Sequence, residues 1–190
     1  GTIDTANFAL EFGVSMNIAG GTHHAYKDSG EGFCLLNDIA IASHYLLDKK
    51  NCRQILVVDL DVHQGNGTAK IMENENRVFT FSMHGKNNYP LHKENSNLDI
   101  ALADGMEDNE YLQILKNTLP RLIGQLKPDF IFYQSGVDIL KTDKLGRLSL
   151  SMEACKERDR FVLGGGYSEK ISDIVEAHAN TFRLAQEIYF

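Results

Sequence analysis

The chain has 190 residues, of which 43% are hydrophobic and 24% are charged, and its formal net charge is −7. These values predict one globular domain with its own core and exclude a disordered or collagen-like chain. The negative charge argues against direct binding of nucleic acid or an anionic membrane, and no apolar run reaches the ~20 residues that span a bilayer. Three widely spaced cysteines form no disulfide framework, which favours the cytoplasm, or the nucleus if the source is eukaryotic.

Helical and extended patterns alternate along the chain. The predicted helices cover residues 2–12, 36–47, 108–126, 151–162 and 168–189. The predicted strands cover residues 14–18, 55–58, 78–82 and 130–133, with loops at 22–34, 83–106 and 135–150. The second and fourth strands are predicted to be buried on both faces because they are continuous apolar runs. This alternation indicates a three-layer α/β/α fold with a mostly parallel central sheet, whose ligand binds at the carboxyl ends of the strands.

Polar side chains gather where the predicted strands end. Asp59, Asp61 and His63 follow the second strand at alternate positions, so they share one face if the strand continues. Asp138 lies just past the fourth strand. Two carboxylates and an imidazole, from Asp61, His63 and Asp138, suit a divalent metal and leave a coordination position open for water or substrate. An acidic strand end can also simply cap a following helix, but the imidazole and the second strand end favour the metal.

Two further motifs carry groups that move protons or donate hydrogen bonds. His23 and His24 follow Gly-Gly at the same predicted rim, where one imidazole could take a proton from water while the other holds charge. A single loop histidine is more often structural than catalytic. Tyr167 follows three glycines and could donate a hydrogen bond to an oxyanion, although such a run also fits a turn that cradles phosphate. The lysine that a P-loop needs does not follow it.

Taken together, these motifs resemble those of the zinc-dependent histone deacetylases. The matching segments, in the order of that family, are GGTHHA (20–25), EGFCLLND (31–38), DLDVHQGNGT (59–68), SMHGKNNYP (82–90), QSGVD (134–138), LGRLSLS (145–151) and GGGYS (164–168). His-Gln-Gly-Asn-Gly, where other classes usually have His-His-Gly-Asp-Gly, is most similar to the class IV branch and its bacterial relatives. The resemblance implies an arginase/deacetylase-like fold, hydrolysis of N-acyl-lysine, and Zn²⁺ as cofactor with Fe²⁺ as the alternative.

The resemblance also implies roles for individual side chains. His24 would be the general base and acid, and His23 would be its electrostatic partner, held by Asp59. Tyr167 would donate to the oxyanion while zinc polarises the amide carbonyl and activates the attacking water. The implied zinc ligands are Asp61, His63 and Asp138.

Two more groups of residues follow from the same resemblance. A structural K⁺ or Na⁺ would be bound by side-chain or backbone oxygens of Asp59, Asp61, His63, Ser82 and Met83. The tunnel for the acyl-lysine would be lined by Gly32, Phe33, Tyr89 and Leu145. The substrate would be an acyl-lysine protein or a small acylated amine, and no oligomeric state is predicted.

The chain departs from the family pattern at three places. Asn66 replaces the Asp that usually orients the second histidine, and since an amide stabilises an imidazolium less than a carboxylate does, we predict a lowered pKa for His24. The join between Arg158 and Tyr167 has no room for a buried strand that the family has there. We therefore expect a single catalytic domain over residues 1–190 that lacks a segment near 162–163 and an N-terminal part.

Other functions fit parts of the pattern. A small-molecule amidohydrolase of the same fold, such as an acetylpolyamine deacetylase, is one alternative, because an acidic chain suits a cationic amine as well as a basic protein tail. An arginase-like ureohydrolase would need two manganese ions and more ligands, and it would leave Tyr167 without a role. A non-catalytic binding module on the same scaffold is a further alternative, against which the presence of every implied ligand argues.

Overall fold

The computed structural model describes residues 1–163 of the chain. Within this part the helices are α1 (Thr2–Phe12), α2 (Asp38–Asp48), α3 (Asn66–Met72), α4 (Asp108–Leu126) and α5 (Met152–Leu163). The strands are β1 (Ile55–Asp59), β2 (Val78–Gly85), β3 (Leu98–Leu102) and β4 (Phe130–Gln134). The helix predicted over 168–189 lies outside the described residues.

The four described strands form one parallel sheet in the order β3-β2-β1-β4. Strand β1 is central and fully buried. Its last residue, Asp59, is in register with Ser82 of β2 on one side and with Gln134 of β4 on the other. The carboxyl ends of three strands therefore meet at one edge of the sheet, which is where the sequence predicted the ligand site.

Alternation along β1 divides the core into two layers. Ile55 and Val57 pack in a cluster with buried residues of α1, α2 and α3, whereas Leu56 and Val58 pack in a second cluster with α4 and α5. Because neighbouring side chains of a strand point to opposite faces, one short apolar run stabilises both layers. The predicted three-layer α/β/α architecture is confirmed.

Local signals set most helix ends. Helix α1 ends at Gly13, whose φ of 85° is the left-handed conformation that glycine adopts without strain. Helix α2 begins after Asn37, because the side chain of that residue accepts a hydrogen bond from the backbone N–H of Ala40 and caps the helix. Helix α4 has the predicted bounds even though Pro120 lies inside it.

Several predicted elements were wrong. Residues 14–18 form no strand, since Ser15 and Asn17 instead bond α1 through the carbonyl of Thr5 and the hydroxyl of Thr2. The predicted loop over 83–106 contains the end of β2 and all of β3. Strand β3 escaped prediction because it is half-exposed at the end of the described sheet and has a polar residue among its apolar ones.

Two further corrections concern the strands next to the candidate site. Strand β1 ends at Asp59, so Asp61 and His63 lie beyond the ladder, and the short helix α3, which was not predicted, begins soon after them. Strand β4 is half-exposed rather than buried on both faces, with Ile131 40% exposed, because it is the outermost strand of the sheet on its side within residues 1–163. No helix in this part of the chain combines the length and apolar character needed to cross a membrane.

The carboxylate of Asp38 ties α1 and the histidine-bearing loop to α2. It accepts hydrogen bonds from the Thr2 hydroxyl, the Gly21 N–H, and both the N–H and hydroxyl of Thr22, at 2.7–3.2 Å. Burial alone would raise the pKa of Asp38, but these donors outweigh it and lower that pKa below its ordinary value.

We expect Asp38→Asn to lower the free energy of unfolding by about 2 kcal/mol at pH 7. The substitution replaces one acceptor oxygen by an N–H₂ group, which would then face N–H or O–H donors and leave them without an acceptor. A depressed pKa means that the carboxylate stabilises the fold above its ordinary pKa and loses this effect as the pH falls through the lowered value. Urea unfolding of both proteins should therefore give a large difference at pH 7 that shrinks toward pH 3. An equal difference at both values would contradict this role.

Candidate metal centre and active site

Three side chains converge at the carboxyl edge of the sheet. Asp61 and His63 lie in the bend that follows β1, and Asp138 lies four residues past the end of β4. Although no ladder continues beyond Asp59, the alternation persists, because Leu60 and Val62 point into the core while the polar residues between them point to the rim. The three side chains therefore reach the same edge of the sheet without a continued strand, and their role as metal ligands stays a prediction.

The ligand atoms of the three residues lie close enough to share one ion. One atom from each of Asp61, His63 and Asp138 lies within 4.8 Å of the others. The Nδ1 atom of His63 is 3.1 Å from Asp61 Oδ1 and 2.9 Å from Asp138 Oδ2. Zinc ligands at 2.0–2.2 Å in tetrahedral directions stand about 3.4 Å apart, so small shifts suffice for coordination. The donor set fits Zn²⁺ or Fe²⁺.

Backbone hydrogen bonds orient the two carboxylates. Asp61 Oδ1 accepts from the N–H of His63 at 2.8 Å, and Asp138 Oδ1 accepts from the N–H of Val62 at 3.0 Å. Burial lowers the pKa of His63, but its hydrogen bonds to Asp138 and Asp61 outweigh this effect and raise that pKa to about 9. The two carboxylates thus concentrate negative charge around Nδ1 of His63. A bound cation would take the place of the proton that this nitrogen now shares with them.

The two adjacent histidines are buried beside this cluster. His23 Nδ1 lies 2.6 Å from Asp59 Oδ2, and its Nε2 lies 3.1 Å from Nε2 of His24 and 4.0 Å from Asp61 Oδ1. Burial lowers the pKa of His23, but the charge of Asp59 and the hydrogen bond to it outweigh burial and raise that pKa. Asp59 is thus placed to keep His23 charged.

Asn66 fixes the orientation of the second histidine. Its Nδ2 donates to Glu31 Oε1 and to the Tyr26 hydroxyl, both at 3.0 Å, and its Oδ1 lies 2.7 Å from His24 Nδ1. Because a carboxylate oxygen only accepts, the amide nitrogen must face Glu31 and the amide oxygen must face His24. His24 therefore donates from Nδ1, and when the ring is neutral its Nε2 carries the lone pair, which faces Nε2 of His23 at 3.1 Å.

His24 is neutral at physiological pH. Burial and the positive charge of His23 lower the pKa of His24 to about 4, and the hydrogen bond to Asn66 raises it only in part. A neutral imidazole accepts a proton, which is what a general base must do. The pKa of His24 is lowered, as the sequence predicted, but the causes are burial and the charge of His23, whereas the hydrogen bond to Asn66 raises it.

The network also explains why an amide occupies position 66. A carboxylate there would bring a second acceptor with a negative charge within hydrogen-bond distance of Glu31 Oε1. Because position 66 is buried, water would not screen the two charges from each other. We expect Asn66→Asp to lower the free energy of unfolding by about 2 kcal/mol.

The matched control is Glu31→Gln, which alone is expected to leave the free energy of unfolding nearly unchanged. In the double variant it should restore most of the stability lost by Asn66→Asp, because the glutamine amide can donate to the new carboxylate. Denaturant unfolding of the four proteins in a double-mutant cycle measures this coupling. Additive effects of the two substitutions would contradict the proposed contact.

Two of the four predicted tunnel residues contact His24. A Cβ on Gly32 would lie 2.5 Å from the His24 ring, so the backbone approaches too closely for any side chain there. The ring of Tyr89 packs edge-on at 5.0 Å between ring centres, and its hydroxyl donates to Glu31 Oε1. Leu145 is exposed and is linked to this region because its carbonyl accepts from Asn88 at 2.8 Å.

Phe33 stands at the tip of a tight hairpin. The backbones of Glu31 and Cys34 exchange two hydrogen bonds of 3.0 and 2.8 Å around Gly32 and Phe33. Both turn residues have positive φ, 53° and 64°, as a type I′ turn requires. A phenylalanine in this region costs about 1–2 kcal/mol, and the turn directs a fully exposed aromatic ring outward beside the His24 pocket.

The residues predicted to bind a monovalent cation are adjacent. The register of β1 and β2 places Asp59 beside Ser82, and Met83 follows in the buried end of β2. The Ser82 hydroxyl lies 2.9 Å from Nδ1 of His84, and the other oxygen of Asp59 accepts from the N–H of Asp61 at 3.1 Å. The carboxylate and hydroxyl are the hard oxygen donors that K⁺ or Na⁺ would need.

Comparison with known families identifies the fold and its family. A model of the histone deacetylase domain matches residues 1–182. The chain belongs to the histone deacetylase family. An uncharacterized protein of Picosynechococcus is 45% identical over 100% of this chain and 68% of its own length. Histone deacetylase 2 of Arabidopsis thaliana is 33% identical over 85% of this chain and 43% of its own length.

Solved structures of histone deacetylase homologues agree with this assignment. The crystal structure of an HDAC homologue from Aquifex aeolicus is 29% identical and superposes with a TM-score of 0.78, over 86% of this chain and 47% of that one. An HDAC homologue complexed with SAHA gives the same values. The chain thus spans about two thirds of the first relative and less than half of the other proteins named here.

These findings bear differently on the sequence predictions. The deacetylase family and the arginase/deacetylase-like fold are confirmed, whereas the class IV branch stays a prediction. The alignment with the Picosynechococcus relative covers 203 positions, more than the 190 residues of this histone deacetylase homologue, so that relative has residues without a counterpart here. This agrees with a missing segment, but its place near 162–163 stays a prediction.

Three residues of the site were not predicted, and one predicted residue cannot be placed. The side chain of Asn66 donates to Glu31 and Tyr26, and Arg158 donates to the carbonyl of Gly136, two residues before Asp138. No local sequence pattern marks such contacts between distant parts of the chain. The amide at position 66 indicates only that its N–H₂ group needs an acceptor, and it does not identify Glu31 as that acceptor. Tyr167 lies outside the described residues, so its role as oxyanion donor stays a prediction.

Proposed function

We propose that this histone deacetylase homologue hydrolyses the amide bond of N-acyl-lysine with the help of one divalent metal ion. The observation that carries the proposal is the convergence of Asp61, His63 and Asp138 on one point beside the paired imidazoles of His23 and His24. Family membership supports the reaction class, and the ligand set supports the metal.

Asp61, His63 and Asp138 would hold the ion, with Zn²⁺ proposed first and Fe²⁺ second. A bound divalent ion with an open coordination position supplies a Lewis acid that polarises a carbonyl oxygen and acidifies water. The hydrogen bonds from the Val62 and His63 N–H groups would orient the two carboxylates for the ion, and at Asp138 the bonded oxygen, Oδ1, is not the one nearest His63 Nδ1.

His24 is proposed as the group that moves protons. Its neutral imidazole takes a proton from the attacking water at Nε2, while the Nδ1–H group keeps its hydrogen bond to Oδ1 of Asn66. The same nitrogen then gives the proton to the leaving lysine amine. His23, whose pKa the neighbouring Asp59 raises, would stabilise negative charge that develops near the ring of His24.

Tyr167 is proposed to donate a hydrogen bond to the tetrahedral oxyanion, on the strength of the family motif alone. We expect Tyr167→Phe to lower the turnover at least tenfold, since loss of one oxyanion donor commonly costs ~10²–10³ in rate. Zinc content, measured by atomic emission, should stay at the wild-type value. Turnover equal to that of the wild type would remove Tyr167 from the mechanism.

The tunnel is proposed to admit a linear acylated amine. Gly32 and Tyr89 border His24, and the exposed Phe33 and Leu145 lie at neighbouring positions, so the chain offers apolar walls around an acyl-lysine stem. The net negative charge of the chain favours a cationic substrate. A K⁺ or Na⁺ held between Asp59, Ser82 and the backbone carbonyls of Asp61, His63 and Met83 is proposed as a structural ion.

No feature of the described residues favours the acetylpolyamine deacetylase or the non-catalytic module over this function. The test is turnover of a panel of acyl-lysine peptides, from acetyl to long-chain acyl, and of acetylated polyamines, with and without a chelator. We expect peptide hydrolysis that the chelator abolishes and that Zn²⁺ restores. Hydrolysis of polyamines alone, or activity that the chelator leaves intact, would overturn the proposal.

A further inference from the structure

Arg158 of α5 is the largest side chain that is completely buried in the described part of the molecule. A guanidinium stays charged at any pH at which the protein is folded. Burying such a charge costs several kcal/mol unless good partners compensate for it. The partners of Arg158 therefore indicate what the residue does.

The guanidinium bonds backbone carbonyls on one side and a carboxylate on the other. Its Nη1 donates to the carbonyl oxygen of Gly136 at 2.5 Å and to that of Leu60 at 3.3 Å. Its Nε donates to Asp159 Oδ1 at 2.8 Å, and Nη2 forms an ion pair with the same oxygen at 2.7 Å, although the angle is not that of a directed hydrogen bond. The Tyr133 hydroxyl also donates to Asp159 Oδ1, at 2.5 Å.

The two carbonyls belong to the segments that carry the metal ligands. The ladder between β1 and β4 ends with the bond from the Leu60 N–H to the Gln134 carbonyl, at 3.1 Å. Leu60 directly precedes Asp61, and Gly136 is two residues before Asp138. Past the end of the ladder, Arg158 bonds both segments at once, beside the direct bond from the Val62 N–H to Asp138.

Gly136 shows how closely these segments approach each other. A Cβ on Gly136 would overlap Asp61 Oδ2 and lie 2.6 Å from the Asp61 Cα, so the backbone before Asp138 packs directly against Asp61. A small shift of the Gly136 carbonyl therefore moves one ligand relative to the other. Metal affinity responds strongly to such shifts because the ligand atoms must stay within tenths of an ångström of their ideal positions.

We propose that Arg158 is a positioning residue of the metal centre, which fixes the separation of Asp61 and Asp138 by bonding the Leu60 and Gly136 carbonyls. This inference rests on the proposed metal centre and deepens it. The planar fork of arginine suits the task, because it can bond two carbonyls and a carboxylate at the same time. A lysine supplies the same charge from a single point and would not hold both segments.

The test compares zinc binding by Arg158→Met with that of Arg160→Met, measured by competition with a chromophoric chelator. Arg160 is exposed on the same helix, so its substitution removes the same charge without touching the centre. We expect Arg158→Met to weaken zinc binding at least tenfold and Arg160→Met to stay within twofold of the wild type. Circular dichroism at the same temperature shows whether each variant is folded, so that affinity is compared among folded proteins.

Arg158→Lys serves where the methionine variant does not fold. It keeps the buried charge, and we expect zinc binding at least threefold weaker than in the wild type. Zinc affinity of folded Arg158→Met within twofold of that of Arg160→Met, or unchanged affinity of Arg158→Lys, overturns the positioning role and leaves only a structural one. A wild-type protein that binds no zinc overturns the metal centre itself and this role with it.

Discussion

Substitution of Asp138 by Asn is expected to abolish stoichiometric metal binding and to lower hydrolysis of acyl-lysine by on the order of 100-fold or more. The amide is a weak ligand, so the ion would keep only Asp61 and His63 as strong donors. Changes in groups that merely support a metal ligand already cost about 10–100-fold in affinity or activity, and loss of a ligand costs more. Zinc content after dialysis and turnover of an acetyl-lysine peptide measure the two effects.

The choice of Asn keeps the fold largely intact. The amide oxygen can still accept from the Val62 N–H that now bonds Asp138 Oδ1 at 3.0 Å. The matched control is Asp28→Asn, which removes one exposed carboxylate at a position distant from Asp138 in the sequence. Its zinc content and turnover are expected to equal those of the wild type. A folded Asp138→Asn protein that retains a full equivalent of zinc would show that Asp138 is not a ligand.

The second large effect is expected from His24→Gln, which should lower turnover by ~10²–10⁴ while zinc stays bound. His24 contacts His23, Asn66 and Tyr89 but is not in the ligand cluster, so its loss removes proton transfer and not the metal. Burial and the charge of His23 lower the pKa of His24 to about 4, so the residue acts as a base throughout the neutral range.

The matched control is His44→Gln, because His44 is exposed on α2 and belongs to no described part of the site. Its turnover should equal that of the wild type. Parallel loss of zinc and turnover in His24→Gln would instead make His24 a support of the metal centre. Unchanged turnover with zinc bound would require another base.

The parts of the fold that could be predicted are those in which one local signal decides the structure. The run over residues 55–58 is apolar at consecutive positions, and α4 has leucines at helical spacing, so both elements could be predicted. Residues 14–18 also alternate, but no neighbouring strand pairs with them in the described part of the chain, and side-chain bonds to α1 decide their conformation. Pairing between distant strands has no local signature, which is also why β3 was missed.

The same distinction applies to the candidate site. Asp61, His63 and Asp138 could be predicted because each follows a strand, and the edge of a parallel sheet brings such residues together. Glu31 and Arg158 could not, since each bonds a residue more than 20 positions away along the chain. The orientation of the Asn66 amide follows only once Glu31 is known to be its acceptor.

A single oxygen of Glu31 accepts from both Asn66 and Tyr89, and this sharing links the proposed tunnel entrance at Tyr89 to the proposed proton carrier His24. Burial and Glu31 raise the pKa of Tyr89 to about 12, so the phenol keeps its proton and its bond to the carboxylate. A bulky acyl chain that displaces Tyr89 leaves that oxygen to Asn66 alone, which strengthens the amide's hold on His24. We expect the acid limb of the pH–rate profile to lie at higher pH with long acyl groups than with acetyl, because a stronger bond from Asn66 raises the pKa of His24. Identical acid limbs for the two substrates would rule the coupling out.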